Sequence, residues 1–409
     1  MKKKKILISA YACEPNKGSE PEVGWQWALT LSKLGNQVYV ITRSNNKKNI
    51  DKYLNKRFIK NLNFVYYDLP KFILWLIKGN KNSYSYLYFF LWQIGIFFAV
   101  RPFIKKINFD YIHHVSFVTY RIPSFLCFYN IPFIFGPISG GDTVPIKLRK
   151  NFSLKNKINE LFRDFSNFYI SYSPLINLVF KKSKLIIVTS KETKKFIPKI
   201  YHHKVKKLLA VGIEKNKFIK IKKKKNKYFN IIFVGNLLDI KGPMIAIKSF
   251  KIIKKKTKKV LFTIIGNGNL KDELLKFSTE NNLNQSIVFK NKVKRQDLFS
   301  IYKKSDILLA PYLRDSGGLV ILEAMSHGVI PVTLNNGGPG EIVNNNCGIK
   351  INIKDKNENL LIKNLSNSVT AIIKSKKKFY LKRKNSFERT SQFSWPNKVK
   401  YIYTNLNYR

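Results

Sequence analysis

Two acidic residues, Asp315 and Glu323, flank a glycine turn and the start of a short predicted helix. The glycines of the turn, Gly317 and Gly318, remove side chains where the backbone must bend or approach a ligand. The uncharged run Ile307–Ala310 before them suits a buried parallel strand. A strand, a glycine turn and a helix in this order can bind an anion, although the same order also forms ordinary turns.

The main-chain N–H groups of Gly318, Leu319 and Val320 lie at the predicted start of this helix. Such N–H groups lack intrahelical acceptors and favour an anion, typically a phosphate. Asp315 and Glu323 would bracket that phosphate, and their oxygens can accept hydrogen bonds from sugar hydroxyls. The stretch therefore predicts a sugar-phosphate site, and the alternative is a turn with two solvated acids.

Two further strand ends in this half of the chain carry suitable residues. Lys241 follows the predicted strand Ile231–Val234, and a lysine there can neutralise a diphosphate. Gly266 directly follows the predicted strand Leu261–Ile265. Because ligands of open parallel sheets bind at the carboxyl ends of the strands, we expect these positions to border the same ligand.

The first half of the chain offers weaker candidates. Gly18 and Glu20 lie in a loop between the first predicted strand and its helix, where backbone donors could reach a ligand. His113 and His114 end a predicted strand and point to opposite faces, so only one of them can meet a ligand. A structural hydrogen-bonding role is the alternative for either histidine. Arg121 is a candidate anion clamp or a surface residue.

Length and composition predict a globular protein of two domains. The chain has 409 residues, of which 44% are hydrophobic, and a formal net charge of +53. This basic excess favours an anionic partner such as a lipid surface, whereas its diffuse distribution and the lack of a binding motif argue against nucleic acid. Three widely spaced cysteines give neither a disulfide framework nor a metal site and fit a reducing cytosol. No metal and no cofactor are expected.

Strands and helices alternate along most of the chain, which predicts an α/β protein with mostly parallel sheets. We expect a Rossmann-like domain over 1–205, a lysine-rich linker over 206–227 and a second Rossmann-like domain over 228–390. Residues 391–409 should form a helix that crosses back to the first domain. The two doubly wound sheets are expected to face a cleft.

One uncharged segment, Asn82–Val100, is about long enough to span a bilayer. Its tyrosines, its serines and Gln93 argue against a span, and so does its place between predicted strands of one sheet. The sequence instead favours a helix that is buried against the sheet or lies on a membrane surface.

These strand-end features, in this order, resemble the retaining glycosyltransferases of family 4, which have the GT-B fold of two Rossmann-like domains. The segment D-S-G-G-L-V-I-L-E-A-M resembles the acid pair of that family, with seven residues between Asp315 and Glu323. The segment V-G-N-L-L-D-I-K-G resembles its phosphate motif, with Lys241 in place and Asn236 where the family commonly has arginine. The segment G-G-P-G-E-I-V, with Glu341, also matches.

The resemblance implies a role for each of these residues. Asp315 would lie near the donor sugar, Glu323 would bind the nucleotide ribose, and Lys241 would hold the diphosphate together with the N–H groups at the helix start. In the first half, the resemblance extends to the segment G-S-E-P-E-V-G-W-Q-W-A. It implies that Gly18 borders the donor and that Glu20 borders the acceptor. One histidine of H-H-V-S-F-V-T-Y-R would border the reacting sugar, and Arg121 the acceptor.

The activity implied by the resemblance is metal-independent transfer of a hexose from a nucleoside-diphosphate sugar to a saccharide or lipid-linked acceptor, with retention of configuration. We expect such an enzyme to build a surface polysaccharide or glycolipid from the cytoplasmic side of an anionic inner membrane, held there by its charge and by segment 82–100. A GT-B enzyme that is not a transferase, such as a nucleotide-sugar epimerase or a phosphorylase, is the alternative. A nucleic-acid-binding protein is a third hypothesis, which rests on charge alone.

Overall fold

The computed structural model of the protein describes residues 3–76, 81–214, 228–354, 357–404 and 406. Its internal contacts divide the chain into two compact units. The first unit comprises Met1–Gly141, Phe165–Val211 and Trp395–Arg409, and the second comprises Asp142–Asp164 and Gly212–Ser394.

A sheet of seven parallel strands forms the centre of the first unit. Its strands are β1 Lys5–Ala10, β2 Gln37–Thr42, β3 Leu62–Tyr66, β4 Tyr111–Ser116, β5 Phe133–Ile138, β6 Ser183–Val188 and β7 Val205–Lys207. They lie in the order β3-β2-β1-β4-β5-β6-β7. Every residue of β4 and β5 is buried, as expected for central strands with both faces covered.

Helices fill most connections between these parallel strands, and one further helix lies at the end of the chain. They are α1 Ser19–Lys33, α2 Lys47–Leu54, α3 Lys71–Leu76, α4 Lys81–Ala99, α5 Arg101–Lys106, α7 Pro174–Lys182, α8 Lys191–Lys194 and the C-terminal α16 Trp395–Thr404. Helix α6, Leu154–Ser171, begins in the second unit and ends in the first.

A six-stranded parallel sheet forms the centre of the second unit. Its strands are β8 Phe229–Val234, β9 Val260–Ile265, β10 Ile287–Lys290, β11 Ile307–Ala310, β12 Ile330–Leu334 and β13 Ile349–Ile351, in the order β10-β9-β8-β11-β12-β13. Its helices are α9 Pro243–Lys256, α10 Lys271–Glu280, α11 Arg295–Lys304, α12 Leu319–Met325, α13 Gly337–Ile342, α14 Glu358–Lys374 and α15 Lys376–Thr390. The two parallel sheets confirm the predicted α/β fold class.

The division of the chain differs in detail from the predicted boundaries. Residues 142–164 group with the second unit, although the sequence placed all of 1–205 in one domain. The first unit also continues to Val211, past the start of the predicted 206–227 linker, of which residues 215–227 lie outside the described residues.

Side-chain contacts over long sequence separations bring residues 142–164 into the second unit. Asn156 Nδ2 donates to Asp239 Oδ2 at 2.6 Å, and Arg314 Nη2 pairs with Glu160 Oε1 at 3.0 Å. No local pattern in the sequence marks these partners, because they lie more than 80 residues apart in the chain.

Helix α4 packs against the core of the first unit. Tyr88, Phe89, Trp92 and Ile96 are buried there, and Trp92 Nε1 donates to the carbonyl oxygen of Tyr67 at 2.9 Å. By length and hydropathy alone, one stretch of the described residues, 86–106, would be long enough to cross a membrane. Its packing agrees with the predicted helix buried against the sheet.

Helix α16 is fastened to the first unit by a buried lysine. Lys398 Nζ donates to the carbonyl oxygens of Leu209 at 2.5 Å, Ala210 at 3.1 Å and Val211. It also lies 4.6 Å from the ring centroid of Trp395. Burial lowers the pKa of Lys398 well below its ordinary value. This lysine therefore connects the end of the chain to the segment that follows β7.

Replacing Lys398 with methionine should destabilise the first unit by about 2–4 kcal/mol, because three buried carbonyl groups lose their donor. Tryptophan fluorescence during denaturant unfolding measures this effect, since all five tryptophans belong to the first unit. Lys400→Met, on an exposed position of the same helix, is the control and should change stability by less than about 0.5 kcal/mol. Equal losses in the two variants would contradict the role of Lys398.

Candidate functional site

An ion pair joins two of the predicted site residues in the second unit. Lys241 Nζ lies 2.9 Å from Asp315 Oδ2, and the two side chains are 21% and 18% exposed. Lys241 also lies 5.0 Å from the ring centroid of Tyr312. A cation and an acid thus meet where the loops after β8 and β11 leave the sheet.

Close backbone contacts hold these two loops together. The Arg314 N–H group donates to the Ile240 carbonyl at 3.0 Å. Gly242 has φ +63°, and a Cβ atom at this position would lie 2.3 Å from the Pro311 carbonyl oxygen. Only glycine permits that approach, and the approach places Lys241 beside the second loop.

Asp315 also holds the turn that precedes helix α12. Its Oδ1 atom accepts hydrogen bonds from the N–H groups of Gly317 at 3.0 Å and Gly318 at 3.1 Å. Burial alone would raise the pKa of Asp315, but Lys241 and these two N–H groups lower it below its ordinary value. A carboxylate therefore occupies part of the anion site that the sequence predicted.

The N–H groups of Leu319 and Val320 follow directly, in the first turn of α12. They lie where intrahelical acceptors are missing. Gly318 precedes them with φ +66°, and a Cβ atom there would lie 2.6 Å from Ile342 Cδ1. Gly266 has φ +153°, and a Cβ atom there would lie 1.9 Å from the Gly235 carbonyl oxygen. The left-handed φ of Gly318 and the close backbone contact at Gly266 therefore each favour glycine at the carboxyl edge of the sheet.

Glu323 is buried and paired with an arginine that the sequence did not single out. Arg295 Nε and Nη2 each lie 2.7 Å from Glu323 Oε1. The guanidinium fixes the orientation of the carboxylate from the first turn of α11. Arg295 stands in a run of basic residues, so no sequence signal distinguished it from its neighbours.

Asn236 is exposed just after the end of β8. A short polar side chain therefore occupies the position at which the resembled family commonly has arginine. Glu341 lies half-buried in α13, and the carbonyl oxygen of this residue accepts a hydrogen bond from Arg389.

In the first unit, Glu20 connects the first turn of α1 to the loop after β4. Its Oε1 atom accepts a hydrogen bond from the Val118 N–H group in the loop after β4. Burial raises the pKa of Glu20, and the Val118 N–H group only partly offsets that effect. Gly18 has φ +72°, and its N–H group donates to Glu22 Oε2 at 3.3 Å.

His113 is fully engaged by protein groups. Its Nε2 atom lies 2.6 Å from the Gly136 carbonyl oxygen, so Nε2 carries the proton, and Nδ1 accepts from the Tyr403 hydroxyl at 2.7 Å. Its ring packs edge-on against Trp27. Burial lowers the pKa of His113 to about 3, against the opposing effect of the Gly136 carbonyl. These bonds fit a structural role.

His114 points to the opposite face of β4, as the alternation of strand residues predicts. Its ring lies 5.3 Å from that of Phe135 and 6.2 Å from that of Phe89. Among the described residues, no group meets the full geometry of a hydrogen bond to either ring nitrogen. Burial lowers the pKa of His114 to about 4, although the Phe117 backbone acts in the opposite direction.

These two histidines should make the first unit sensitive to acid. Their folded-state pKa values lie below the unfolded value of about 6.5, so the unfolded chain binds more protons. Stability is therefore complete above that pH and falls by up to about 1.4 kcal/mol per pH unit per histidine as the pH drops from 6.5 towards 4.

Fluorescence-detected unfolding at several pH values measures this slope. His114→Phe removes one of the two titrating groups. It should therefore reduce the slope of the unfolding free energy against pH by up to about 1.4 kcal/mol per pH unit, which corresponds to one proton. His203→Gln, at an exposed histidine, is the control and should leave the slope unchanged. An unchanged slope in His114→Phe would contradict the prediction.

Arg121 is held in place by the first unit. Its Nη2 atom donates to the Gly140 carbonyl at 2.7 Å and to Asn167 Oδ1. Gly140 has φ +123°, and a Cβ atom there would lie 2.9 Å from Arg121 Nη1. Arg121 thus braces the loop after β5.

The structure therefore brings Lys241, Asp315 and the start of α12 together, with Glu323 on the same helix. Gly266 lies at the end of a strand of the same sheet. In the first unit, Gly18 and Arg121 lie in loops that follow strands, whereas Glu20, predicted in a loop, lies in the first turn of α1. The histidines divide between the two faces of β4. Within the described parts of the chain, no cluster of three or more histidine, cysteine, aspartate or glutamate residues could hold a metal ion.

Comparison with known proteins agrees with this architecture. Residues 214–382 match the family "Glycosyl transferases group 1". An uncharacterized glycosyltransferase of Methanocaldococcus jannaschii is 28% identical over 272 residues, which are 62% of this chain. The chain spans 63% of the length of that relative.

Solved structures match over almost the whole chain. WaaG, a glycosyltransferase involved in lipopolysaccharide biosynthesis, has a TM-score of 0.59 at 13% identity, over 98% of this chain and 99% of its own. Anabaena HepE, in complex with UDP and glucose, has a TM-score of 0.62 at 14% identity, over 99% of this chain and 100% of its own. The two units thus have the folds of GT-B glycosyltransferases, and the family match supports a glycosyltransferase of group 1.

Proposed function

We propose that this protein is a retaining glycosyltransferase of family 4 that transfers a hexose from a nucleoside-diphosphate sugar. The observation that carries the proposal is the contact between Lys241 and Asp315 at the start of α12, with Glu323 held by Arg295 on the same helix. The nucleotide and sugar named for HepE support a donor of this class.

In the proposed mechanism, the donor diphosphate binds Lys241 and the N–H groups of Leu319 and Val320. The phosphate competes with Asp315 for Lys241, and the released carboxylate can then accept hydrogen bonds from hydroxyls of the donor sugar. Glu323, oriented by Arg295, accepts hydrogen bonds from the ribose. As the sugar departs, negative charge develops on the diphosphate, and these donors stabilise it without a metal.

We assign acceptor binding to the first unit, through Glu20 and Arg121, with Gly18 bordering the donor. Between the histidines we favour His114 for contact with the reacting sugar, because both ring nitrogens of His113 already have protein partners. The acceptor hydroxyl would attack from the face that the leaving group departs from, as the bond between the sugar and the diphosphate breaks. Its proton would pass to the departing diphosphate, so retention needs no enzyme nucleophile.

We further propose a saccharide or lipid-linked acceptor, in the synthesis of a surface polysaccharide or glycolipid. The pathway named for WaaG supports this class of product. A net charge of +53 suits a cytoplasmic protein that is peripheral to an anionic inner membrane. A nucleotide-sugar epimerase is less favoured, because the similar proteins reported above are named as glycosyltransferases.

Hydrolysis of UDP-, GDP- and ADP-sugars by the purified protein tests the proposal. We expect one nucleotide class to be turned over, with the released sugar first appearing as the anomer of the donor and with no loss of rate in EDTA. Inversion of the sugar would contradict the retaining mechanism. Release of an epimerised nucleotide sugar would favour the alternative, and turnover of no donor would contradict transferase activity.

A further inference from the structure

Helix α6 exposes a continuous apolar face. Eight large apolar or aromatic side chains on it, and on the residue that follows it, are each 50–74% exposed. They are Leu154, Ile158, Leu161, Phe162, Phe165, Phe168, Tyr169 and Tyr172. Their spacing of three or four residues places them on one side of the helix. We call these eight residues the α6 apolar face.

The other side of α6 is polar and faces the protein. Asn156 and Glu160 bond to Asp239 and Arg314, as described above. Asp164 Oδ2 accepts from Arg149 at 2.6 Å, and Asn167 is buried beside Tyr120. An ordinary surface helix turns its apolar side towards the core, whereas α6 turns polar side chains towards the protein and exposes its apolar side.

This face holds a third of the exposed large apolar side chains, eight of the 24 among the described residues. Soluble surfaces rarely concentrate apolar groups in this way unless a partner covers them. A contiguous stripe of phenylalanine and leucine, ending in Tyr169 and Tyr172, has the composition of a helix that lies in the membrane interface.

The basic charge around the α6 apolar face favours an anionic lipid surface as its partner over a second copy of this chain. The exposed basic residues Lys147, Lys150 and Lys155 lie just before the helix or in its first turn, beside the exposed Ile146. The two acids of the helix, Glu160 and Asp164, are both paired with arginines. Two such basic surfaces would repel each other, whereas anionic headgroups complement them.

We propose that the α6 apolar face is the membrane-docking surface of this protein and inserts into the interface of an anionic bilayer. Segment 82–100 was expected to serve this purpose, but the described face of α4 packs into the core. Docking through α6 requires no donor sugar, so it stands or falls independently of the proposed transferase activity.

Sedimentation with phosphatidylglycerol-containing vesicles tests the proposal. The triple variant Phe162→Ser, Phe165→Ser, Phe168→Ser should lower vesicle partitioning by more than about tenfold. A control triple of equally exposed apolar residues, Phe58→Ser, Phe72→Ser, Ile200→Ser, should bind as the wild type does. Wild-type binding should persist in part in about 1 M salt, where the screening length is about 3 Å.

Equal binding by both triples, or complete loss of wild-type binding in high salt, would overturn the proposal. So would a dimer in sedimentation velocity that dissociates in the α6 triple and does not bind vesicles. Phe165→Trp tests the same point with little risk to folding: its added fluorescence should be quenched by lipids brominated in their acyl chains. Absence of that quenching in vesicle-bound protein would also overturn the proposal.

Discussion

Replacing Lys241 with methionine should slow sugar transfer by about 100- to 1000-fold, or about 3–4 kcal/mol of transition-state stabilisation. Lys241 is the cation beside Asp315, and the leaving diphosphate gains negative charge as the sugar departs. The loss should fall mainly on kcat, because Lys241 attracts the diphosphate more strongly in the transition state than in the ground state. Steady-state kinetics measures it, on whichever donor of the UDP-, GDP- and ADP-sugar panel the protein turns over.

Lys248→Met is the matched control for this variant. Lys248 lies in the same unit, pairs with Glu358 Oε1 at 2.7 Å and is 32% exposed, against 21% for Lys241. Its removal should change kcat by less than about threefold, or less than 1 kcal/mol. If both variants lost activity equally, the effect would be one of folding, and Lys241 would have no special role in transfer.

Replacing Glu323 with glutamine should weaken donor binding by about 10- to 100-fold, because charged acceptors contribute about 1.5–3 kcal/mol to hydrogen bonds. The amide keeps the size of the side chain and one acceptor oxygen for Arg295. Since a ribose contact is made equally in the ground state and the transition state, KM should rise while kcat changes little. This pattern is the opposite of that expected for Lys241→Met.

Asp306→Asn controls for the loss of a buried acid. Asp306 pairs with Arg383 at 3.6 Å and lies directly before β11, at the amino end of the strand. Because the candidate site lies at the carboxyl ends, this variant should lower stability without changing KM. A raised KM in Asp306→Asn, or an unchanged KM in Glu323→Gln, would contradict the assignment of Glu323.

Much of the fold follows from local patterns in the sequence. The strand Ile307–Ala310 has the predicted bounds, and the predicted strands Ile231–Val234 and Leu261–Ile265 end where β8 and β9 end. A short apolar run between polar loops is sufficient to define a buried strand. The edge strands β7 and β13 were not predicted. Each has three residues, includes lysine and is only partly buried, so neither carries an apolar run.

Part of the site was equally accessible from the sequence. Lys241 and Asp315 each follow a strand of one parallel sheet, and this shared edge predicts that they lie together. Arg295 begins a helix on the surface, and its pairing with Glu323 depends on how α11 packs against α12. The partners of His113, on α16 and within β5, likewise depend on tertiary packing across up to 290 residues of sequence.

Hydrogen exchange in the presence and absence of the donor sugar tests the central claim most directly, namely that the second unit binds the donor at its strand ends. The account predicts slower exchange in peptides covering 235–242 and 311–323, with no change in these peptides for Glu323→Gln at the same donor concentration. Protection confined to other parts of the chain, or none at a concentration that supports turnover, would contradict it.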